Sequence, residues 1–131
     1  IKDAGKTPVA AASASDFLNT IKSAMAKLHE QSIDLTRATG TEIPDVVLKK
    51  YHAGDETIFS KWLAKMLKSF DGKRIADMLK NDTVFRSQAT QFIRGFDKIL
   101  AAAKQTDTPD AVITKLLKTD LGIIYSRLNR N

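Results

Sequence analysis

The sequence predicts an all-α protein: a compact bundle of about five to seven amphipathic helices joined by short loops. Large apolar residues recur at three-, four- and seven-residue spacings along most of the chain, which is the period of one helix face. No segment alternates apolar and polar residues as a half-buried strand does. The 131 residues are enough for one domain to bury a core without a metal or a disulfide.

Composition limits the class of protein. Apolar residues make up 43% and charged residues 27% of the chain, which is usual for a globular domain, and no stretch approaches the length of a membrane span. Cysteine is absent, so disulfides and thiolate chemistry are excluded. We expect residues 1–14 to form a flexible lead-in and residues 15–131 a single helical domain. Because the chain begins with Ile1, we also expect it to be part of a larger or exported protein.

The first predicted helix starts at the Ser13-Ala14-Ser15-Asp16 sequence, which has the form of a helix cap, and runs to about Ala38. Glycine accepts the left-handed backbone that follows many helices, so Gly40 is a suitable stop. One apolar stripe follows this helix. Its members are Phe17, Ile21, Met25, Leu28 and Leu35.

A short helix, "PDVVLKKYHA", is predicted between Pro44 and Gly54, and Asp55 is expected to cap the next one. That next helix, "IFSKWLAKMLKSF" at 58–70, has the clearest period in the chain. One side of it is apolar: Ile58, Phe59, Trp62, Leu63, Met66, Leu67 and Phe70. The opposite side carries Lys61, Lys65 and Lys68.

Two more helices are expected after the break "DGK" at 71–73. The first is "KRIADMLK", with Ile75, Met78 and Leu79 inward. The second is capped by Asn81 or Asp82 and runs to about Lys104, with Gly95 marking a close helix approach or a break. Its predicted inner stripe is Phe85, Ala89, Phe92, Phe96, Ile99 and Ala103.

The last segment begins with the loop "QTDTPD", in which Pro109 suits the first position of a helix. Four apolar residues then face inward: Val112, Ile113, Leu116 and Leu117. A final helical turn presents Leu121, Ile124, Tyr125 and Leu128. Separate helices with comparable apolar stripes favour packing against one another in a bundle.

The net charge of +6 is unevenly placed. Residues 1–43 carry five basic and five acidic side chains, whereas residues 61–104 carry ten basic and four acidic ones. This excess favours acidic partners. It includes Lys73, Arg74, Lys80, Arg86, Arg94 and Lys98, which could contact a phosphate backbone if several share a face.

No catalytic, metal or cofactor residue emerges from the sequence. The only histidines, His29 and His52, lack a second ligand at metal-binding spacing, and we expect His29 on a helix surface. The "GKT" at 5–7 has neither the preceding strand nor the following helix of a phosphate loop. Most aspartates fall where helix starts are expected, so capping explains them. An enzyme whose site is assembled from residues distant in the sequence is one alternative to the two hypotheses given next.

The segment 58–70 could serve as a membrane-surface helix, as a partner-binding helix or as a phosphate contact. We interpret it as a core helix whose lysines face outward, and we predict a non-enzymatic protein-interaction or scaffold domain without cofactor or small-molecule substrate. The alternative is an anionic partner, either nucleic acid or an acidic membrane surface, bound through the basic face of residues 61–104. The predicted partner-binding residues are Lys61, Trp62, Lys65, Lys68, Lys73 and Arg74.

Overall fold

The computed structural model describes residues 14–129, and only the backbone of residues 14–16. Seven helices occupy this range: α1 (Ala14–Ala38), α2 (Asp45–His52), α3 (Ile58–Ser69), α4 (Gly72–Asn81), α5 (Thr83–Ala103), α6 (Pro109–Lys118) and α7 (Asp120–Asn129). No β-strand occurs among these residues, so the predicted all-α bundle is confirmed. The predicted lead-in lies outside the described range except for Ala14, which already belongs to α1, and the predicted cap Ser13 also lies outside it.

The two most extensive helix contacts join helices that are not neighbours along the chain, although adjacent helices such as α6 and α7 also pack together. α1 packs mainly against α5 and also against α3, while α3 packs mainly against α7. One buried apolar cluster joins them, extending from Phe17 in α1 to Leu128 in α7. Within residues 14–129, no helix combines the length and the apolar character needed to cross a membrane.

α5 supplies the centre of this core. All six residues of its predicted stripe are buried, each exposed by 1% or less: Phe85, Ala89, Phe92, Phe96, Ile99 and Ala103. Burying a phenylalanine side chain stabilises a fold by roughly 2–3 kcal/mol, so three rings on one helix face are a large part of the driving force. The predicted stripe of α5 is therefore confirmed residue by residue.

The helix ends follow from local chemistry. Gly40 and Gly54 adopt the left-handed backbone, with φ of 71° and 109°, and end α1 and α2 as predicted. The Asp82 carboxylate accepts from the backbone N–H of Phe85 at 3.0 Å and caps α5, again as predicted. Asp71, which was predicted only as part of a break, caps α4 by accepting from Arg74 N at 2.7 Å.

The predicted cap of α3 is wrong. The Asp55 carboxylate accepts from the backbone N–H and the hydroxyl of Thr57, at 3.0 and 2.8 Å, and so stabilises the turn before the helix. α3 itself begins at Ile58, with no side-chain cap. These hydrogen bonds from Thr57 are the main reason that the pKa of Asp55 is lowered, and the charges of Lys61 and Lys50 add to them.

The last two helices meet at a tight joint. Pro109 occupies the first turn of α6, as predicted, and Leu121, Ile124 and Leu128 of α7 are buried. Gly122 is buried as well, because its Cα packs directly against the backbone at the end of α6. No sequence feature pointed to this glycine.

Tyr125 of α7 is half-buried beside α5. Its ring stacks on Phe96, with the ring centroids 4.7 Å apart, and its hydroxyl donates to Asp97 Oδ1 at 2.6 Å. That hydrogen bond, with burial and the charge of Asp97, raises the pKa of Tyr125 to about 12. The hydroxyl therefore stays protonated and ties α7 to α5.

Candidate functional site

The predicted lysine row lies on the outer side of α3. Lys61, Lys65 and Lys68 are all exposed, while Leu63 and Leu67 on the opposite side are 0% exposed. Residues spaced by four and three positions share one helix face, so the three ammonium groups project from a single surface. We call this surface the lysine row. Because the inner side of α3 is fixed in the core, the row is held on a rigid element.

Trp62 lies at the edge of the lysine row and is half-buried. Its indole Nε1 is buried and has no hydrogen-bond partner. An unpaired buried donor typically costs about 1–3 kcal/mol. Because that nitrogen is covered, Trp62 can offer a partner the apolar side of its ring but not an accessible N–H group.

The junction between α3 and α4 positions Arg74. The Arg74 guanidinium lies over the ring of Phe70, with its central carbon 3.7 Å from the ring centroid. A cation over an aromatic face is attracted by the ring quadrupole, typically by about 0.5–1 kcal/mol at exposed sites. Because Asp71 also caps α4 at this point, the backbone and the side chain of Arg74 are both held in place.

Arg127, near the end of α7, completes the same junction. Its Nε donates to the carbonyl oxygen of Leu67 at 3.0 Å, and its Nη2 donates to the carbonyl oxygen of Phe70. The last carbonyls of a helix have no partner within the helix and form the negative end of its dipole, so a guanidinium suits them well. No local sequence signal indicates this role of Arg127, because its acceptors lie 57 and 60 positions earlier in the chain.

Lys73 and Arg74, the last two predicted partner residues, are exposed on α4 and line an open cleft of about 730 Å³. Three carboxylates, those of Asp71, Asp77 and Asp82, line the same cleft. The positive charge of Lys73 and Arg74 is therefore locally balanced. Lys61 of the lysine row also lies near a carboxylate, that of Asp55, whose pKa its charge helps to lower.

The basic excess of residues 61–104 also does not form one continuous face. Arg94 and Lys98 of α5 line a separate cleft, together with Lys27 of α1. The Arg86 side chain lies near the end of α4, where Nη1 is 3.4 Å from the carbonyl oxygen of Lys80. These cations therefore border more than one cleft, and the alternative of an anionic partner bound through residues 61–104 stays a prediction.

A chain of hydrogen bonds crosses the interface between α1 and α3. Ser32 Oγ donates to the carbonyl oxygen of Leu28 at 2.9 Å, Ser60 Oγ donates to Ser32 Oγ at 3.1 Å, and His29 Nδ1 lies 2.6 Å from Ser60 Oγ. A carbonyl can only accept, so both hydroxyl protons point toward Leu28. His29 must then donate from Nδ1, which leaves Nε2 of the neutral ring as an acceptor.

The direction of these hydrogen bonds bears on catalysis. A serine nucleophile gives its proton to the histidine, whereas here His29 donates to Ser60, which is fully buried. The hydrogen bond between His29 and Ser60 therefore links α1 to α3 and does not activate Ser60 as a nucleophile. Burial lowers the pKa of His29, against the opposing charges of Asp120, Glu56 and Asp55. His29 lies on α1 with its ring half-buried.

His52 lies exposed at the end of α2, where its ring meets the edge of Tyr51 at a centroid distance of 5.9 Å.

Among residues 14–129, no three or more histidine, aspartate or glutamate side chains are grouped so that they could hold a metal ion. Comparison with protein families, with curated proteins and with solved structures gives no match to this chain.

Proposed function

We propose that this chain is a non-enzymatic protein-interaction domain that binds an acidic protein surface through the lysine row, with Trp62 at its edge. The observation that carries the proposal is the contrast between the two sides of α3. Its inner side is buried in the core, and its outer side presents three exposed ammonium groups on one line. Lys61 and Lys68 are separated by about 10 Å along the helix axis, at 1.5 Å per residue, which suits a partner surface with two or three carboxylates.

We propose that Lys73 and Arg74, near the start of α4, also contact the partner. Their charges are balanced by the aspartates of the α4 cleft, so they favour a partner with both charges over a uniform polyanion. Exposed ion pairs are typically worth only about 0.2–1 kcal/mol each. The lysine row would therefore steer association and set its salt dependence, while the ring of Trp62 would supply apolar contact.

A membrane surface is a weaker candidate than a protein. An interfacial helix inserts large apolar side chains next to its cations, but the large apolar residues of α3 face the core. The exposed large apolar residues among those described are Leu18, Val46, Tyr51 and Val84, and none of them belongs to α3. Binding through the lysine row would thus leave only the half-buried ring of Trp62 to insert.

The test is a comparison of captured proteins. The wild type and the triple variant Lys61→Glu, Lys65→Glu, Lys68→Glu are each used to retain partners from a lysate of the source cell. The proposal expects at least one partner to be retained by the wild type at about 50 mM salt and lost by the triple variant. Unchanged retention would refute the lysine row as the contact surface.

The control carries the same change of charge away from α3. Lys49, Lys104 and Lys118 are exposed lysines on α2, after α5 and on α6, and their glutamate triple variant should retain the partner. Equal loss in the control would mean that only net charge matters. Nucleic acid and acidic vesicles are tested directly at low salt. A loss of about 10³–10⁵ in affinity for nucleic acid between 50 and 200 mM would assign a phosphate-backbone binder instead.

A further inference from the structure

A second cleft, of about 390 Å³, lies between the two longest helices, α1 and α5. Three cations line it: Lys27 from α1, and Arg94 and Lys98 from α5. The carboxamides of Gln31 and Gln91 line it as well. No carboxylate is found among the described residues of its walls. This sets it apart from the α4 cleft, where cations and carboxylates alternate.

The cleft is a consequence of the helix pairing. Lys27 and Gln31 are four residues apart on α1, and Gln91, Arg94 and Lys98 are three and four apart on α5, so each set occupies one helix face. α1 and α5 form the most extensive contact between two helices in the bundle. The two polar faces are therefore fixed opposite each other by the core below them.

Gly95 sets the separation of the walls. A methyl group at its Cβ position would lie 2.9 Å from Leu28 Cδ2, which is closer than side chains normally approach. The absence of a side chain at position 95 thus lets α5 come close to α1 at the floor of the cleft. The cations are held along the edges of this close approach.

The Gln31 side chain also borders the cleft, and its Oε1 is buried without a hydrogen-bond partner, 3.9 Å from the Cβ position of Gly95. A carboxamide oxygen only accepts, so the three cations, and not this oxygen, are the groups that would bind an anion. Three like charges around one cleft are also unfavourable until a counter-charge arrives.

We propose that the cleft between α1 and α5 binds the phosphate or pyrophosphate group of a small phosphorylated molecule. Arginine presents a planar fork of donors that matches phosphate oxygens in pairs, and lysine adds point charges. Three cations suit an anion that carries more than one charge. The volume lies within the range of roughly 300–1,000 Å³ that small-molecule sites have. This site is separate from the lysine row and does not depend on the function proposed for it.

The test measures the binding of inorganic pyrophosphate to the full chain by titration calorimetry at low salt. We expect saturable binding, and an affinity lower by about tenfold or more in Arg94→Gln, since a hydrogen bond to a charged group is worth that much or more. The matched control is Arg86→Gln, an exposed arginine of the same helix outside the cleft, which should change the affinity less than about twofold.

A second arm separates free diphosphate from a phosphate ester. ADP is titrated beside pyrophosphate, with adenosine as the uncharged control. Tighter binding of ADP would mean that the cleft also accepts the remainder of the ester, and equal binding would mean that it recognises the phosphates alone. Either result supports the proposal if Arg94→Gln weakens both anions. No saturation below about 10 mM pyrophosphate, or equal weakening by Arg86→Gln, would overturn it.

Discussion

Gly122 provides the sharpest test of the fold. It lies in the first turn of α7 and is buried against the end of α6. A methyl group at its Cβ position would lie 2.1 Å from the carbonyl oxygen of Leu116 and 2.6 Å from Leu117 Cα. Both are backbone atoms, which cannot rotate away as a side chain can. Gly122→Ala must therefore push α6 and α7 apart by more than an ångström.

Two opposing effects determine the size of the change. Alanine is favoured over glycine inside a helix by about 1 kcal/mol. Overpacking of a well-packed interior costs typically about 1–3 kcal/mol and more where backbone must move. Since the contact at 2.1 Å is much closer than the 2.9 Å found at Gly95 and involves backbone, we take the upper end of this range. The net loss should be about 2 kcal/mol or more.

Urea unfolding followed by far-ultraviolet circular dichroism measures this loss. With a slope near 2 kcal/mol per molar urea, the midpoint should fall by about 1 M. The control is Gly95→Ala, in which the new methyl group would meet only Leu28 Cδ2, at 2.9 Å, the end of a side chain. There the gain in helix propensity offsets much of the crowding, and the change should stay within about 1 kcal/mol. An unchanged or raised midpoint for Gly122→Ala would refute the described packing of α6 on α7.

Two further predictions concern polar contacts between helices. Arg127→Met should lower the free energy of unfolding by about 1–2 kcal/mol because the carbonyls of Leu67 and Phe70 lose their charged donor. Arg127→Lys should recover part of the lost free energy. Equal urea midpoints for the wild type and both variants would contradict the capping role of Arg127. Because the pKa of His29 is lowered in the folded protein, the unfolded chain binds a proton more readily than the folded one. The contribution of His29 to stability is therefore complete above the unfolded pKa of 6.5 and is lost as the pH falls through the folded pKa. Urea midpoints at pH 7.5 and 5.5 should therefore differ more in the wild type than in His29→Gln, and His52→Gln, an exposed histidine, should retain the wild-type difference.

Much of the fold could be predicted because apolar period and capping are local properties. The stripe of α5 was predicted residue by residue, as were the stops at Gly40 and Gly54 and the first turn at Pro109. Each of these depends on side chains within a few positions of one another. The cap of α3 failed for the same local reason, since Asp55 found hydrogen-bond donors in Thr57 before the helix began.

The contacts that join different helices were not predictable in this way. Ser32 and Ser60 are 0% exposed, although short polar residues beside an apolar stripe are usually read as solvent-facing. Gly122 and Arg127 acquire their roles only from the placement of α7 against α6 and α3. These roles become visible only when the helix pairing is known.

The candidate surfaces also differ in how far they could be predicted from the sequence. The exposure of the lysine row followed from the period of α3 alone. The balancing aspartates of the α4 cleft and the convergence of Lys27 with Arg94 required the three-dimensional arrangement. A count of charge along the chain could suggest an anionic partner, but it could not separate one cationic surface from another.

The contacts between helices that are distant in the sequence affect how the protein folds during its synthesis. During synthesis α1 emerges long before α5, its main neighbour, and α3 long before α7. Distant contacts of this kind close late and slow the folding of a domain. The part of the apolar side of α3 that packs on α7 therefore stays exposed to water until α7 has left the ribosome, and the position of the lysine row is fixed only after that.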